Sequence, residues 1–175
     1  MAEAMLRHRL DRLGVDAVVH SAGVSIEGRP ASPPGVQVLG RRGLDITAHR
    51  SRTMTSVMVA HADLVIGMAR EHVREAVALA PESWPRAFTL KELVRRAAGV
   101  GPRPPEESLD GWLDRVHEGR RPAELLGWSP DDDVADPIGL SPTFYAETAD
   151  EIDRLVDKLV GLAWAAELQT TEGRR

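Results

Sequence analysis

An α/β fold with a parallel sheet is what this sequence predicts. Short β-rich runs alternate with longer stretches whose apolar residues recur at helical spacing. Leu64-Val65-Ile66 is the clearest of the runs. It is compact, continuously apolar and too short for a helix, as befits a strand covered by helices on both faces. The chain of 175 residues suffices for one sizeable core. Residues 1–166 are therefore expected to form a single domain, with 167–175 as a flexible polar tail.

The elements follow in order. Ala2, Met5, Leu6, Leu10 and Leu13 mark one face of a helix over Met1 to Leu13, with Arg7, His8 and Arg12 opposite, and Gly14 ends it. Val15 to Ala22 reads as a strand through Val18 and Val19. A turn-rich stretch with Gly28, Pro30, Pro33 and Pro34 precedes a short helix over Gly35 to Arg42, stopped by Gly43. Thr55 caps another short helix that runs to His61. Beyond the strand at 64–66, Val73, Ala76 and Val77 set a helix over Arg70 to Leu79, and Ala87-Phe88 is a further strand candidate. Thr89 with Glu92 forms a capping box ahead of a helix carrying Leu90, Leu93 and Val94. Residues 95–132 read as an expanded connector that includes a helical face of Leu109, Trp112, Leu113 and Val116. Ser129 to Pro142 is an acidic, proline-punctuated loop, and a long amphipathic helix runs on from Thr143 through Ile152, Val156 and Leu159.

Composition excludes whole classes of function. A formal net charge of -5 argues against a general nucleic-acid binder, whose footprint is basic. No apolar run approaches the roughly 18 residues a membrane span needs, and Met1 to Leu13 lacks the apolar block of a signal peptide. A soluble, cytoplasmic chain is expected. There is no cysteine, which removes disulfides, thiolate-metal sites and thiol chemistry from these residues. His8, His20, His61, His72 and His117 show no metal-ligand spacing, and no Walker or Rossmann glycine loop is present. The four tryptophans read as packing or interface residues.

One late dipeptide stands out, Asp136-Pro137, beside the acidic run Asp131-Asp132-Asp133. Its residues alone are consistent with an ordinary loop aspartate before a turn-forming proline. The order of five motifs gives it another meaning. Met1-Ala2-Glu3-Ala4, Ser21-Ala22-Gly23, Gly43-Leu44-Asp45 with His49-Arg50-Ser51-Arg52, Ala62-Asp63-Leu64-Val65-Ile66-Gly67-Met68, and Asp136-Pro137 follow one another as in a known family. In this order the chain resembles the low-molecular-weight protein-tyrosine-phosphatase family over most of Met1 to Trp164.

The resemblance implies a three-layer, flavodoxin-like sandwich with sheet order 2-1-3-4. It also implies phosphate monoester hydrolysis through a phosphocysteine, without a cofactor or metal. Asp136 would be the general acid, while Ser21 and His49 match residues that brace the family's phosphate loop. The implied substrate of an intact member is a phosphotyrosine protein or a small phosphate monoester, with no nucleic-acid or membrane partner; the sequence leaves the oligomeric state open.

Two departures are evident. The first strand and the Cys-x5-Arg loop that should precede Met1 are missing, and no aromatic residue follows Asp136-Pro137 before Phe144 and Tyr145. The nucleophile of this chemistry is a thiolate whose pKa is lowered by a helix N-terminus and a nearby cation. The loop's N–H groups and arginine hold the phosphate. All of these belong to the missing segment. The expectation is therefore an N-terminally truncated phosphatase that is inactive as it stands. The alternative is a non-catalytic binding or regulatory module on the same scaffold. Arsenate reduction on a related scaffold needs redox cysteines and is excluded for these residues.

Overall fold

In a computed structural model of the chain, the described residues are 1–24 and 27–167. The first helix, α1 (Ala2–Leu13), ends at Gly14, whose φ of 70° is the left-handed conformation that favours glycine. Gly14 N–H donates to Asp11 O at 3.1 Å and Val15 N–H to Leu10 O at 3.0 Å, which closes the helix end. A short helix, α2 (Pro33–Gly40), starts on Ser32, whose hydroxyl accepts from Gly35 N–H at 3.3 Å. Thr55 caps α3 (Ser56–Ala60) as its sequence predicts, accepting from Met58 N–H at 3.2 Å.

Two parallel strands follow, β1 (Val65–Gly67) and β2 (Ala87–Thr89), paired in the register Val65 with Ala87, Ile66 with Phe88 and Gly67 with Thr89. Between them run α4 (Arg70–Leu79) and a 3-10 turn over Pro81–Arg86. Gly67 is required by this crossover. A Cβ there would meet Val73 Cγ2 at 2.9 Å and Ala69 O at 3.0 Å, so only glycine lets α4 turn back this tightly over β1. From β2 the chain enters α5 (Leu90–Val100), then α6 (Leu109–His117), a 3-10 turn over Pro122–Leu125 and finally α7 (Pro142–Ala163), capped by Ser141.

Alternation along the strands sorts the layers. Val65 and Ala87 face α3 and α4, where Val59, Val73 and Ala76 are buried. Ile66 and Phe88 face the opposite way, into the main core of α1, α2, α5, α6 and α7, with Met5, Leu10, Leu39, Leu93, Trp112 and Leu159. Helices cover both faces of a parallel sheet, so the α/β sandwich of the expected class is present. Each fully buried side chain such as Phe88 contributes about 1.5–3 kcal/mol of burial.

Three expectations need correction. Val15 to Ala22 does not form a strand. The run is extended but makes no ladder, and among the described residues 16–22 take no part in backbone hydrogen bonds outside regular elements. Its propensity is unexpressed because no strand lies beside it, and a lone strand is not stable. Secondly, Thr89 and Glu92 make half of a capping box. Thr89 accepts from Glu92 N–H at 3.1 Å, but the Glu92 carboxylate is turned away to Arg120. Thirdly, residues 95–132 do more than connect. They contain most of α5, all of α6 and a buried arginine (Arg120). Glu167, in the expected tail, accepts from Arg103 Nη2 at 2.9 Å, and Gln169 to Arg175 lie outside the described residues.

Candidate active site

The carboxyl end of β1 is where an α/β sheet of this kind presents its chemistry. Here the backbone passes from Gly67 through Met68 into the first turn of α4. Val134 N–H donates to Met68 O at 2.7 Å, which moors the acidic loop at that strand end. Asp133 makes the second tie. Its Oδ1 accepts from Arg70 N–H at 2.7 Å and its Oδ2 from Ser129 N–H at 2.9 Å, so this buried carboxylate supports the start of α4 and closes the 129–133 turn. Asp132 is spent likewise. Its carboxylate accepts from Arg70 Nη2 at 2.6 Å and from Arg95 Nη1 at 2.6 Å. Burial pushes the Asp132 carboxyl up, but these hydrogen bonds and charges outweigh it and hold the group below the ordinary aspartate value.

Asp136 stands apart from its neighbours. It is exposed, and its described partner is the Ile138 N–H, which donates to Oδ1 at 3.0 Å in a local turn. Among Asp131, Asp132, Asp133 and Asp136, the two whose carboxylates are committed to the scaffold are Asp132 and Asp133, while Asp131 and Asp136 are exposed.

Ser21 and His49, predicted as a bracing pair, do come together, and what joins them is Glu3. The Ser21 hydroxyl donates to Glu3 Oε2, Arg7 Nη1 donates to Oε1 at 2.7 Å, and His49 Nδ1 lies 3.7 Å from Oε2. The backbone explains the meeting. Gly23 bridges Thr53 in parallel, with Gly23 N–H donating to Arg52 O at 3.0 Å and Met54 N–H to Gly23 O at 2.8 Å. Two residues before one partner stands Ser21, and four before the other stands His49. The Glu3 side chain is only 11% exposed. Its burial would raise the carboxyl, yet the hydrogen bonds from Ser21 and Arg7 and the charges of Arg7 and His49 prevail and lower it. Sequence reasoning assigned Glu3 no role; its signal was its place in the first turn of α1, on the face that meets the core.

No described hydrogen bond joins this cluster to Asp136. Both border one core, since Met1 at the head of α1 and Met68 and Val134 at the acidic loop belong to the same apolar cluster. Arg50 spends its guanidinium on the carbonyls of Thr47 and His49 at 3.1 and 2.8 Å. A groove of about 740 Å³ lies elsewhere, lined by Arg70, Lys91, Arg95, Asp132 and Leu155, and none of the predicted site residues borders it. Among the described residues no group of three or more His, Asp or Glu is placed to hold a metal ion, and no helix is long and apolar enough to cross a membrane.

A helix-covered parallel sheet, with the loop that carries Asp136-Pro137 moored at a strand's carboxyl end, defines a flavodoxin-like α/β sandwich. The chain belongs to the low molecular weight phosphotyrosine protein phosphatase family, which residues 1–104 match. It is 37% identical over 94 residues to the probable low molecular weight protein-tyrosine-phosphatase EpsP of Ralstonia solanacearum, covering 53% of this chain and 62% of that protein. The match thus spans less than two thirds of that relative's length. A longer one, 30% identical over 173 residues, covers 98% of this chain and 88% of the protein-arginine-phosphatase of Geobacillus stearothermophilus. The crystal structure of a low molecular weight protein tyrosine phosphatase from T. tengcongensis superposes with a TM-score of 0.67 at 32% identity, covering 91% of this chain and 86% of that one.

Proposed function

We propose that these residues are the portion of a low molecular weight phosphatase that follows its phosphate-binding loop, with Asp136 as the general acid. The 175-residue chain alone then hydrolyses no phosphate ester. One observation carries this reading: among the described residues, β1 has helices on both faces but a strand on only one edge, and the extended run 16–22 has no ladder partner. A first strand fits there, and its carboxyl end is where Cys-x5-Arg would sit.

In this scheme the thiolate attacks phosphorus and the loop's N–H groups and arginine take up the charge of the transition state. Asp136, held at the strand end by Val134, delivers a proton to the departing group. Glu3 fixes Ser21 and His49, which support the loop from below. Residues 1–166 act as one domain in the cytoplasm. The substrate is a phosphorylated protein side chain or small monoester. Phosphoarginine is a second reading for the side chain. Ile138 follows Pro137 where an aromatic would meet a tyrosine ring, and a relative that matches nearly the whole chain is a protein-arginine-phosphatase.

The test is to read and express the in-frame DNA upstream of Met1. It should encode a short apolar strand and Cys-x5-Arg-Ser/Thr-Pro, and the extended protein should hydrolyse aryl phosphate while the 175-residue chain stays at background. A stop codon directly upstream overturns the reading and leaves a non-catalytic scaffold.

A further inference from the structure

We propose that the groove between α5 and α7 binds a fatty carboxylate, with its aliphatic chain laid along the groove and its head group against Arg95 and Lys158. The groove holds about 740 Å³, within the roughly 300–1,000 Å³ usual for small-molecule sites. Eleven residues line it, about half of the roughly 20–30 a side that a standard protein interface uses. Its size therefore suits a small ligand better than a partner protein. Helix geometry shapes the floor. Lys91 Nζ meets Glu151 Oε1 at 2.8 Å near the start of α5, and Arg103 N–H donates to Leu162 O at 2.8 Å beyond its end, so α5 and α7 run side by side in the same direction. Val94 and Ala98 of α5 and Leu155 and Leu162 of α7 recur at one- and two-turn spacing and line the channel between them. From Lys91 to Ala98 the channel extends about 10 Å, from the helical rise. Leu155 and Leu162 are only half-buried and Ala98 is exposed, so an aliphatic chain lying there removes their remaining apolar surface from water.

The rim decides the head group. Arg70 and Arg95 share the Asp132 carboxylate, each at 2.6 Å, and Lys91 is paired with Glu151. Lys158 is exposed and has no partner among the described residues, and Asp131 is the carboxylate that opposes it at the rim. Four cations against three carboxylates leave one positive charge in excess, on a chain whose net charge is -5. Arg95 is where a ligand reaches that excess. Its side chain is 54% exposed, and its Nη1 serves both Asp131 O and Asp132 Oδ1, while Nε and Nη2 have no acceptor among the described residues. A carboxylate supplies the single negative charge and fits the guanidinium fork. An alkyl phosphate would bring a second negative charge beside Asp131 and Asp132. The site lies at the root of the loop that carries Asp136, since Val134, two residues beyond Asp132, donates its N–H to Met68 O.

This site does not rest on the phosphatase reading, and the 175-residue chain itself tests it. Sodium decanoate, kept below its micelle concentration, is titrated into the chain and followed by NMR. It should saturate with a Kd of about 1 mM or tighter, the ordinary efficiency of a ligand of this size. Its methylenes should show nuclear Overhauser contacts with the methyl groups of Val94, Leu155 and Leu162. Octanoate should bind at least threefold more weakly, because each buried CH₂ contributes to affinity, and acetate should not saturate. Decyltrimethylammonium, with the same chain and the opposite charge, should bind at least tenfold more weakly. Lys158→Glu and Ala98→Trp both replace exposed residues and should leave the far-UV circular dichroism unchanged. The first should weaken decanoate binding at least fivefold, and the second, which fills the channel, should abolish it. Absence of saturation, equal affinity for decanoate and the ammonium, indifference to chain length, or unchanged binding in Lys158→Glu overturns the proposal. Tighter binding of decyl phosphate overturns the choice of head group, and contacts to methyl groups outside the channel overturn the placement.

Discussion

Arg120 and Glu92 are the pair whose disruption should cost the fold most. The Arg120 side chain is 0% exposed and that of Glu92 8%, and two hydrogen bonds join them, Nε to Oε1 at 2.7 Å and Nη2 to Oε2 at 3.0 Å. The guanidinium also donates to Ala87 O at 2.7 Å and Trp84 O at 3.1 Å, and lies 3.9 Å from the Phe88 ring and 4.0 Å from that of Trp84. It therefore rivets the segment after α6 to β2 and to the start of α5. Glu92→Met removes the carboxylate and leaves a cation in the core, a loss of about 3–5 kcal/mol. Arg120→Met strands the carboxylate and the Ala87 carbonyl and costs a similar amount. The double substitution removes both charges and fills the space, so it should fold better than either single one, with a coupling of about 3 kcal/mol or more. Urea unfolding of the four proteins followed by far-UV circular dichroism supplies the cycle. Additive losses, or single variants within about 1 kcal/mol of the parent, would refute the argument that an unpaired buried charge governs this site.

Other outcomes follow from particular contacts. Gly67→Ala forces a methyl group to within 3.0 Å of Val73 and the Ala69 carbonyl; it should lower stability by about 1–3 kcal/mol, read from the urea midpoint. Asp133→Ala removes the carboxylate that ties Arg70 N–H to Ser129 N–H, which should cost about 1–2 kcal/mol and speed proteolysis in the 126–134 loop. His117 accepts from Arg120 at 3.1 Å through Nδ1, and burial first, then the charges of Arg120 and Arg96, hold it below the ordinary histidine value. The unfolded chain then binds a proton that the folded one resists, so stability is full above about pH 6.5 and falls as the pH drops below it; His117→Gln should flatten that fall in thermal unfolding across pH 7 to 5. Asp132 and Glu3 have lowered carboxyls, so their contributions hold above about pH 4 and disappear as the pH falls through the folded-state values.

The fold was legible where a local pattern decides the outcome. Helical periodicity placed α1, α4 and α7, Thr55 and Thr89 announced their helices, and the continuous apolar run marked β1. Val15 to Ala22 misled because strand propensity needs a neighbour, and neighbours are a property of the sheet. Glu92 misled for a related reason. Its spacing from Thr89 fits a capping box, yet a buried guanidinium 28 residues away offers its carboxylate a better partner than a backbone N–H. Arg120 was not singled out by the sequence, since nothing local marks an arginine for burial. At the site, motif order brought out Asp136, Ser21 and His49, but only the geometry separates Asp136 from Asp132 and Asp133 and joins the other two through Glu3.

The role of Asp136 is best tested by leaving-group dependence in the protein extended upstream of Met1. Proton delivery contributes about 10²–10⁴-fold when the departing group is a poor one, and little when it leaves readily. Across a series of aryl phosphates of rising phenol pKa, Asp136→Asn should slow kcat progressively more, with KM nearly unchanged. Asp133→Asn, which loosens the loop without removing a proton donor, should slow all the substrates by a common, smaller factor. A loss at Asp136 that ignores phenol pKa, or a pKa-dependent loss at Asp133 instead, contradicts the assignment.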